Sequence, residues 1–154
     1  MTTTSMTLVE RIDADLTQAI REKDDVAKQA LRAAKTALTE ARTATDNRPL
    51  TDDEAIAVLQ MLAKRRRDTA AEYEKLDAHE RAQAELADVA IFDRYLPRAL
   101  TEAEVEAIAR QVIADTGASS LRDLGLVMGP AIAQVSGRAD GKVVSQVVRR
   151  LLGG

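Results

Sequence analysis

The sequence predicts an all-α protein, an N-terminal four-helix region followed by a compact C-terminal three-helix region, and three observations carry that prediction. Hydrophobic residues make up 45% of the 154 residues but aromatics only 2%, with Tyr73, Phe92 and Tyr95 as the whole set. A core must therefore be built from Ala, Leu, Val and Ile, which suits closely packed helices better than a sheet. The pair Thr-x-x-Glu stands ahead of apolar-periodic segments at Thr7/Glu10, Thr51/Glu54 and Thr101/Glu104; hydroxyl and carboxylate can each satisfy an orphan N–H of a helix start. Apolar residues then recur at helical spacing, and no segment alternates convincingly as a strand does.

The first helix opens at Thr7, places Leu8, Ile12, Leu16 and Ile20 on one face, and runs to about Lys23. Asp24 or Asp25 caps the second, whose Ala27, Ala30, Leu31, Ala34, Ala37, Leu38 and Ala41 form a small-residue stripe for close helix approach. Thr43 to Leu50, with Asp46, Asn47 and Pro49, has turn composition. Thr51 starts a long third helix with Ile56, Leu59, Leu62, Ala63, Ala70 and Tyr73 inward, and a break is expected over Leu76 to His79. The fourth carries Leu86, Val89, Ala90, Phe92 and Leu96 inward until Pro97 ends it, because a residue before proline avoids the α region. There a boundary separates residues 1–97 from 98–154.

In the second region Thr101 opens a helix with Val105, Ile108, Ala109, Val112 and Ile113 inward, and Gly117 stops it in the left-handed conformation. Ser119 or Ser120 caps the sixth, with Leu121, Leu124, Met128, Ile132 and Val135 buried and Pro130 bending it. Gly137 ends that helix, and Asp140 caps a last one whose apolar stripe is Val143, Val144, Val147, Val148 and Leu151.

Composition excludes several functions. There is no cysteine, hence no disulfide, thiolate metal site or cysteine nucleophile. No apolar run approaches the roughly 18 residues of a membrane span, and Met1 to Ser5 lacks the features of a signal peptide, so a cytoplasmic protein is expected. The Arg- and Ala-rich composition fits a bacterial source with a GC-rich genome. Net charge is −3, which gives the whole molecule no bulk attraction for nucleic acid or membrane. The regions differ: residues 1–97 carry −4 and residues 98–154 carry +1.

Lys64-Arg65-Arg66-Arg67 covers roughly 300° of helix circumference and cannot form one basic face. Arg66 falls in line with Leu59, Leu62, Ala70 and Tyr73, so its stem should pack on the helix with its head on a carboxylate, leaving Lys64 and Arg67 as surface charges and secondary basic candidates. His79 lies in a connection, with no sequence cue tying an Asp or Ser to it, and reads as a solvated histidine. One His and no Cys leave only scattered carboxylates for a metal, so neither metal nor cofactor is expected, and no catalytic constellation emerges. Gly125 and Gly129, four apart, flatten one helix face, either against a neighbouring helix or against a ligand backbone. Gly137-Arg138-Ala139-Asp140-Gly141-Lys142 reads either as an anion site at a helix N-terminus or as a stop and a cap with two exposed cations.

At these residues the chain resembles the YqeY-like family, whose small domain also forms the C-terminal tail of the B subunit of glutamyl/aspartyl-tRNA amidotransferase. The resemblance rests on Lys64, Arg66, Arg67 and Asp68, then Tyr95-Leu96-Pro97, Thr116-Gly117-Ala118-Ser119, Leu124-Gly125, Met128-Gly129 and Gly137 to Lys142, in the family's order and spacing. It departs at Leu76-Asp77-Ala78-His79, where relatives more often carry a Gly-Arg connection, and at Ala139-Asp140-Gly141, where the amidotransferase tail tends to carry Asn and Pro. The resemblance implies an all-helical protein whose C-terminal region contacts tRNA, while glutamine hydrolysis and amide transfer belong to domains outside it. A carbon-nitrogen ligase label with glutamine as amido-N-donor would be inherited from the larger enzyme.

The expected function is binding of tRNA or another structured RNA in association with an amidotransferase, without catalysis by this chain. Arg138, Lys142, Arg149 and Arg150 are the expected phosphate contacts, with Gly125, Gly129, Gly137 and Gly141 allowing close approach. The alternative is a helical adaptor that binds another protein, such as an amidotransferase component. A freestanding enzyme is disfavoured, since no activated nucleophile or base is in view.

Overall fold

The computed structural model describes residues 5–153, so the reading of Met1 to Thr4 lies outside the described residues. Seven α-helices and one 3₁₀ turn make up the described secondary structure, with no strand among the described residues. They are α1 (Leu8–Glu22), α2 (Asp25–Ala44), α3 (Asp52–Lys75), α4 (His79–Asp93), α5 (Glu102–Thr116), the 3₁₀ turn Leu121–Asp123, α6 (Leu124–Val135) and α7 (Gly141–Gly153). No described helix is long and apolar enough to cross a membrane. The chain divides into two compact units, Met1–Leu96 and Pro97–Gly154.

All three Thr-x-x-Glu pairs form reciprocal capping boxes at the starts of α1, α3 and α5. Asp24 caps α2 by accepting the Ala27 N–H at 3.1 Å. In the first unit the core is largely aliphatic, with Ile12, Leu31 and Leu59 around Phe92 and the alanines of α2 letting its neighbours approach. Tyr95 closes this core: its hydroxyl donates to Asp15 at 2.5 Å, and the Arg11 guanidinium lies 5.4 Å from its ring centre. Arg66 behaves as its helical position predicts, reaching from α3 to Glu85 (3.3 Å) and Asp88 (3.8 Å) of α4. Burial raises the Asp88 carboxyl above its ordinary value, against the lowering effect of Arg66 and with a further rise from Glu85.

Two expectations about α4 need correction. Leu86 and Ala90 are exposed, and Ala82 and Ile91 are buried beside Val89 and Phe92 instead. The helix also stops at Asp93, short of Pro97, because Arg94, Tyr95 and Leu96 donate three residues back to Ile91, Phe92 and Asp93 and tighten the last turn.

In the second unit Val105, Val112, Val127, Val135, Val144 and Val148 form a separate core. Gly117 ends α5 at φ +72° as expected. The buried face of α6 differs from expectation: Val127, Ala131 and Val135 are buried, Leu124 and Met128 are half-buried, and Leu121 and Ile132 are exposed. Two causes combine. This helix is apolar nearly all round, which blurs the period. Ser120 also caps a 3₁₀ turn first, and at about 120° rather than 100° per residue three residues shift the phase by roughly 60°. Ser136, at φ +52°, stops α6 one residue before Gly137, which follows at φ +75°.

Candidate functional site

The left-handed pair Ser136 and Gly137 turns the chain out of α6 so that Arg138 lies beside the segment leading into α5. Arg138 donates its N–H to the Val135 carbonyl (3.0 Å) and accepts the Leu100 N–H (2.8 Å). Its Nε–H donates to the Arg98 carbonyl at 2.9 Å. The residue is therefore a strut between two segments of its unit, with its terminal amino groups as the part left for an anion. Asp140 then caps α7: its carboxylate accepts the Lys142 N–H (2.9 Å) and its carbonyl accepts the Val143 and Val144 N–H groups. An internal carboxylate thus already occupies the helix start that the sequence offers as an anion site.

The four expected phosphate contacts separate along α7. Lys142 and Arg149 are seven residues apart, which puts them on one exposed face, about 10 Å apart along the axis. Ser145 lies between them, accepting the Arg149 Nε–H at 3.3 Å. Arg150 is rotated about 100° from Arg149 and turns toward α5, where it pairs with Glu102 (3.4 Å) and Glu106 (3.1 Å). Glu106 is held below the ordinary carboxylate range first by its hydrogen bond from Arg110, then by the charges of Arg110 and Arg150.

Gly125 and Gly129 lie on the exposed side of α6, and a Cβ added at either would meet nothing within 4 Å. Packing against a neighbouring helix therefore does not account for them. Leu126 (58% exposed) and Ile132 (42%) stand to either side, and α6 contains no ionisable residue. Gly141 brings α7 close to α6, its Cβ position being 3.8 Å from the Ile132 side chain, an ordinary contact. The arrangement is a smooth, charge-free helix face next to the Lys142/Arg149 face of α7.

The secondary basic candidates lie on α3 in the other unit, where the Lys64 ammonium pairs with Asp68 at 2.9 Å and Arg67 is exposed. His79 is solvated but not unaccompanied: its Nδ1 is 2.6 Å from Glu74 and its Nε2 is 3.9 Å from Asp77. Among the described residues no group of three or more His, Asp or Glu could hold a metal ion. A basic stripe that sequence reasoning missed runs along α2. Lys28, Arg32, Lys35 and Arg42, spaced four, three and seven apart, fall within about 80° of the helix circumference; that period was the available signal.

A family model described as Yqey-like protein matches residues 9–152. A glutamyl-tRNA(Gln) amidotransferase subunit from Thermococcus gammatolerans is 44% identical over 55 residues, covering 33% of this chain and 9% of that protein. The chain thus spans only a small part of the length of the curated relative it matches.

Proposed function

The chain belongs to the Yqey-like protein family, and on that premise we propose that it is a tRNA-docking helical module associated with an amidotransferase, with no catalysis of its own. The observation that carries the reading is the Lys142/Arg149 face of α7 next to the charge-free Gly125/Gly129 face of α6. Two cations about 10 Å apart suit phosphates of one backbone, and the two-glycine strip between Leu126 and Ile132 lets a polymer backbone approach. The likeness to a subunit named for glutamyl-tRNA(Gln) supports the same partner class, and residues 98–154 are the region proposed to make the contact. Arg138 and Arg150 contribute less, since each already holds together its own unit. With three aromatic residues in the chain, single-strand stacking is not the mode; binding is led by shape and backbone charge. A cytoplasmic location belongs to this reading.

The test is tRNA binding across a salt series. About two neutralised phosphates give a slope of log K against log salt of about −2, and Lys142→Ala or Arg149→Ala each reduce it by about 1. A flat salt profile, or affinity unmoved by the double variant, overturns the proposal.

The second reading, a protein adaptor, is favoured by one specific feature. The small-residue floor between Leu126 and Ile132 is also the shape that accepts a partner helix. A stoichiometric protein that co-purifies and survives RNase treatment would select it; tRNA that survives protease treatment would select the first.

A further inference from the structure

We propose that the groove along α2 in the N-terminal unit is a docking site for an acidic amphipathic helix of a partner protein. The groove begins as a cleft of about 300 Å³ between α1, α2 and the α2–α3 connection, with Val9, Ile12, Leu38 and Leu50 among its walls. A second depression adjoins it, sharing Lys35 and Thr39 and adding Leu16 and Arg32. Arg42 lies in the first and Arg32 in the second. Ten residues of helix separate Arg32 from Arg42, about 15 Å, so the two depressions together carry a cation toward each end, with apolar side chains between.

These cations differ from the others on the stripe. Lys28 is paired with Asp25 at 3.3 Å and Lys35 with Asp13 at 3.1 Å. Arg32 has no carboxylate partner among the described residues. Arg42 commits its Nε–H to the Asn47 carbonyl at 3.0 Å; the bond anchors the guanidinium to the loop and leaves its terminal amino groups as a fork for a carboxylate. A helix with acidic residues about eleven apart, on one face, and apolar residues between them matches the charges and the floor together. RNA matches neither. Glu10, Asp13 and Glu40 also line the groove and would repel successive phosphates, whereas two well-separated carboxylates can avoid them. A phosphate backbone also has nothing to place on an apolar floor.

The proposal is independent of the tRNA reading, and the test keeps the two apart. A fluorescein-labelled synthetic helix, with two Glu about eleven residues apart and Leu between them, is titrated with the full-length protein and followed by anisotropy. Saturable binding is expected, weakened about tenfold or more by Arg32→Glu/Arg42→Glu and unchanged by Lys142→Ala/Arg149→Ala. Both arginines are exposed, and circular dichroism of the variant checks its fold. The proposal is overturned if no saturable binding occurs, if affinity ignores the double charge reversal, or if a peptide with Lys in place of Glu binds equally well. Displacement of the labelled helix by tRNA from the Lys142→Ala/Arg149→Ala protein would likewise overturn it, by making the groove an RNA surface.

Discussion

A glycine in an exposed helix interior lowers stability by about 1 kcal/mol relative to alanine, through the freedom it retains in the unfolded chain. Gly125 carries that cost, and a Cβ added there would meet nothing within 4 Å; Gly129 precedes Pro130, whose ring crowds a Cβ on the residue before it, so the gain there is offset. Gly125→Ala is expected to stabilise the protein by up to about 1 kcal/mol, measured by denaturant unfolding. If the face meets tRNA closely, the same variant weakens tRNA binding. Greater stability with unchanged affinity would mean that the face is idle in RNA recognition. Gly137 is the contrasting residue, since at φ +75° a side chain is strained and replacement should destabilise. Sequence alone identified these glycines as unusual but left two explanations for the α6 pair, and the open space above them argues against packing on a neighbouring helix.

At the scale of elements, what was legible depended on the range of the interaction. The three capping boxes could be read because their partners are three residues apart. A longer local pattern was present as well: Arg48-Pro49-Leu50-Thr51-Asp52-Asp53-Glu54 and Arg98-Ala99-Leu100-Thr101-Glu102-Ala103-Glu104 share Arg-x-Leu-Thr-x-x-Glu. In both, the arginine grips the capping glutamate with two bonds of 2.8 to 2.9 Å, and the leucine packs on the core of its own unit. The partners of Arg150 lie 48 and 44 residues away, so no local pattern could reveal that it belongs to the α5–α7 contact and only secondarily to a ligand. The grip has a pH signature. Hydrogen bonds from Arg98, then from Thr101, hold the Glu104 carboxyl at about 2, and Arg48 with Thr51 does the same for Glu54. A depressed carboxylate stabilises the fold above its unfolded value of about 4.3, and that contribution is lost as pH falls toward about 2. Glu104→Gln should thus be less stable than the parent near neutrality, with the difference closing as pH falls from about 4 to about 2. Urea unfolding across that range measures it, and a difference independent of pH would contradict the assigned pairing.

For the whole molecule, the two units bring opposite charge to any encounter with a polyanion. The net −3 is the sum of an acidic N-terminal region and a slightly basic C-terminal one. Each unit has its own apolar core, so residues 97–154 are expected to fold alone. At 58 residues the fragment would bury only about 60% of its unfolded surface, and it should melt cooperatively as a helical protein of low stability. The consequence for function follows from long-range repulsion. If the C-terminal face docks tRNA, removing a region of charge −4 takes away a field that opposes approach, and the fragment should bind tRNA more tightly than the full chain at low ionic strength. Screening shortens that field to about 10 Å at 0.1 M salt and about 3 Å at 1 M, so the two affinities should converge as salt rises. Direct contacts from the N-terminal unit would produce the reverse order, with the full chain binding tighter at every salt concentration. Parallel titrations of fragment and full chain therefore decide whether the N-terminal unit repels tRNA or helps to hold it.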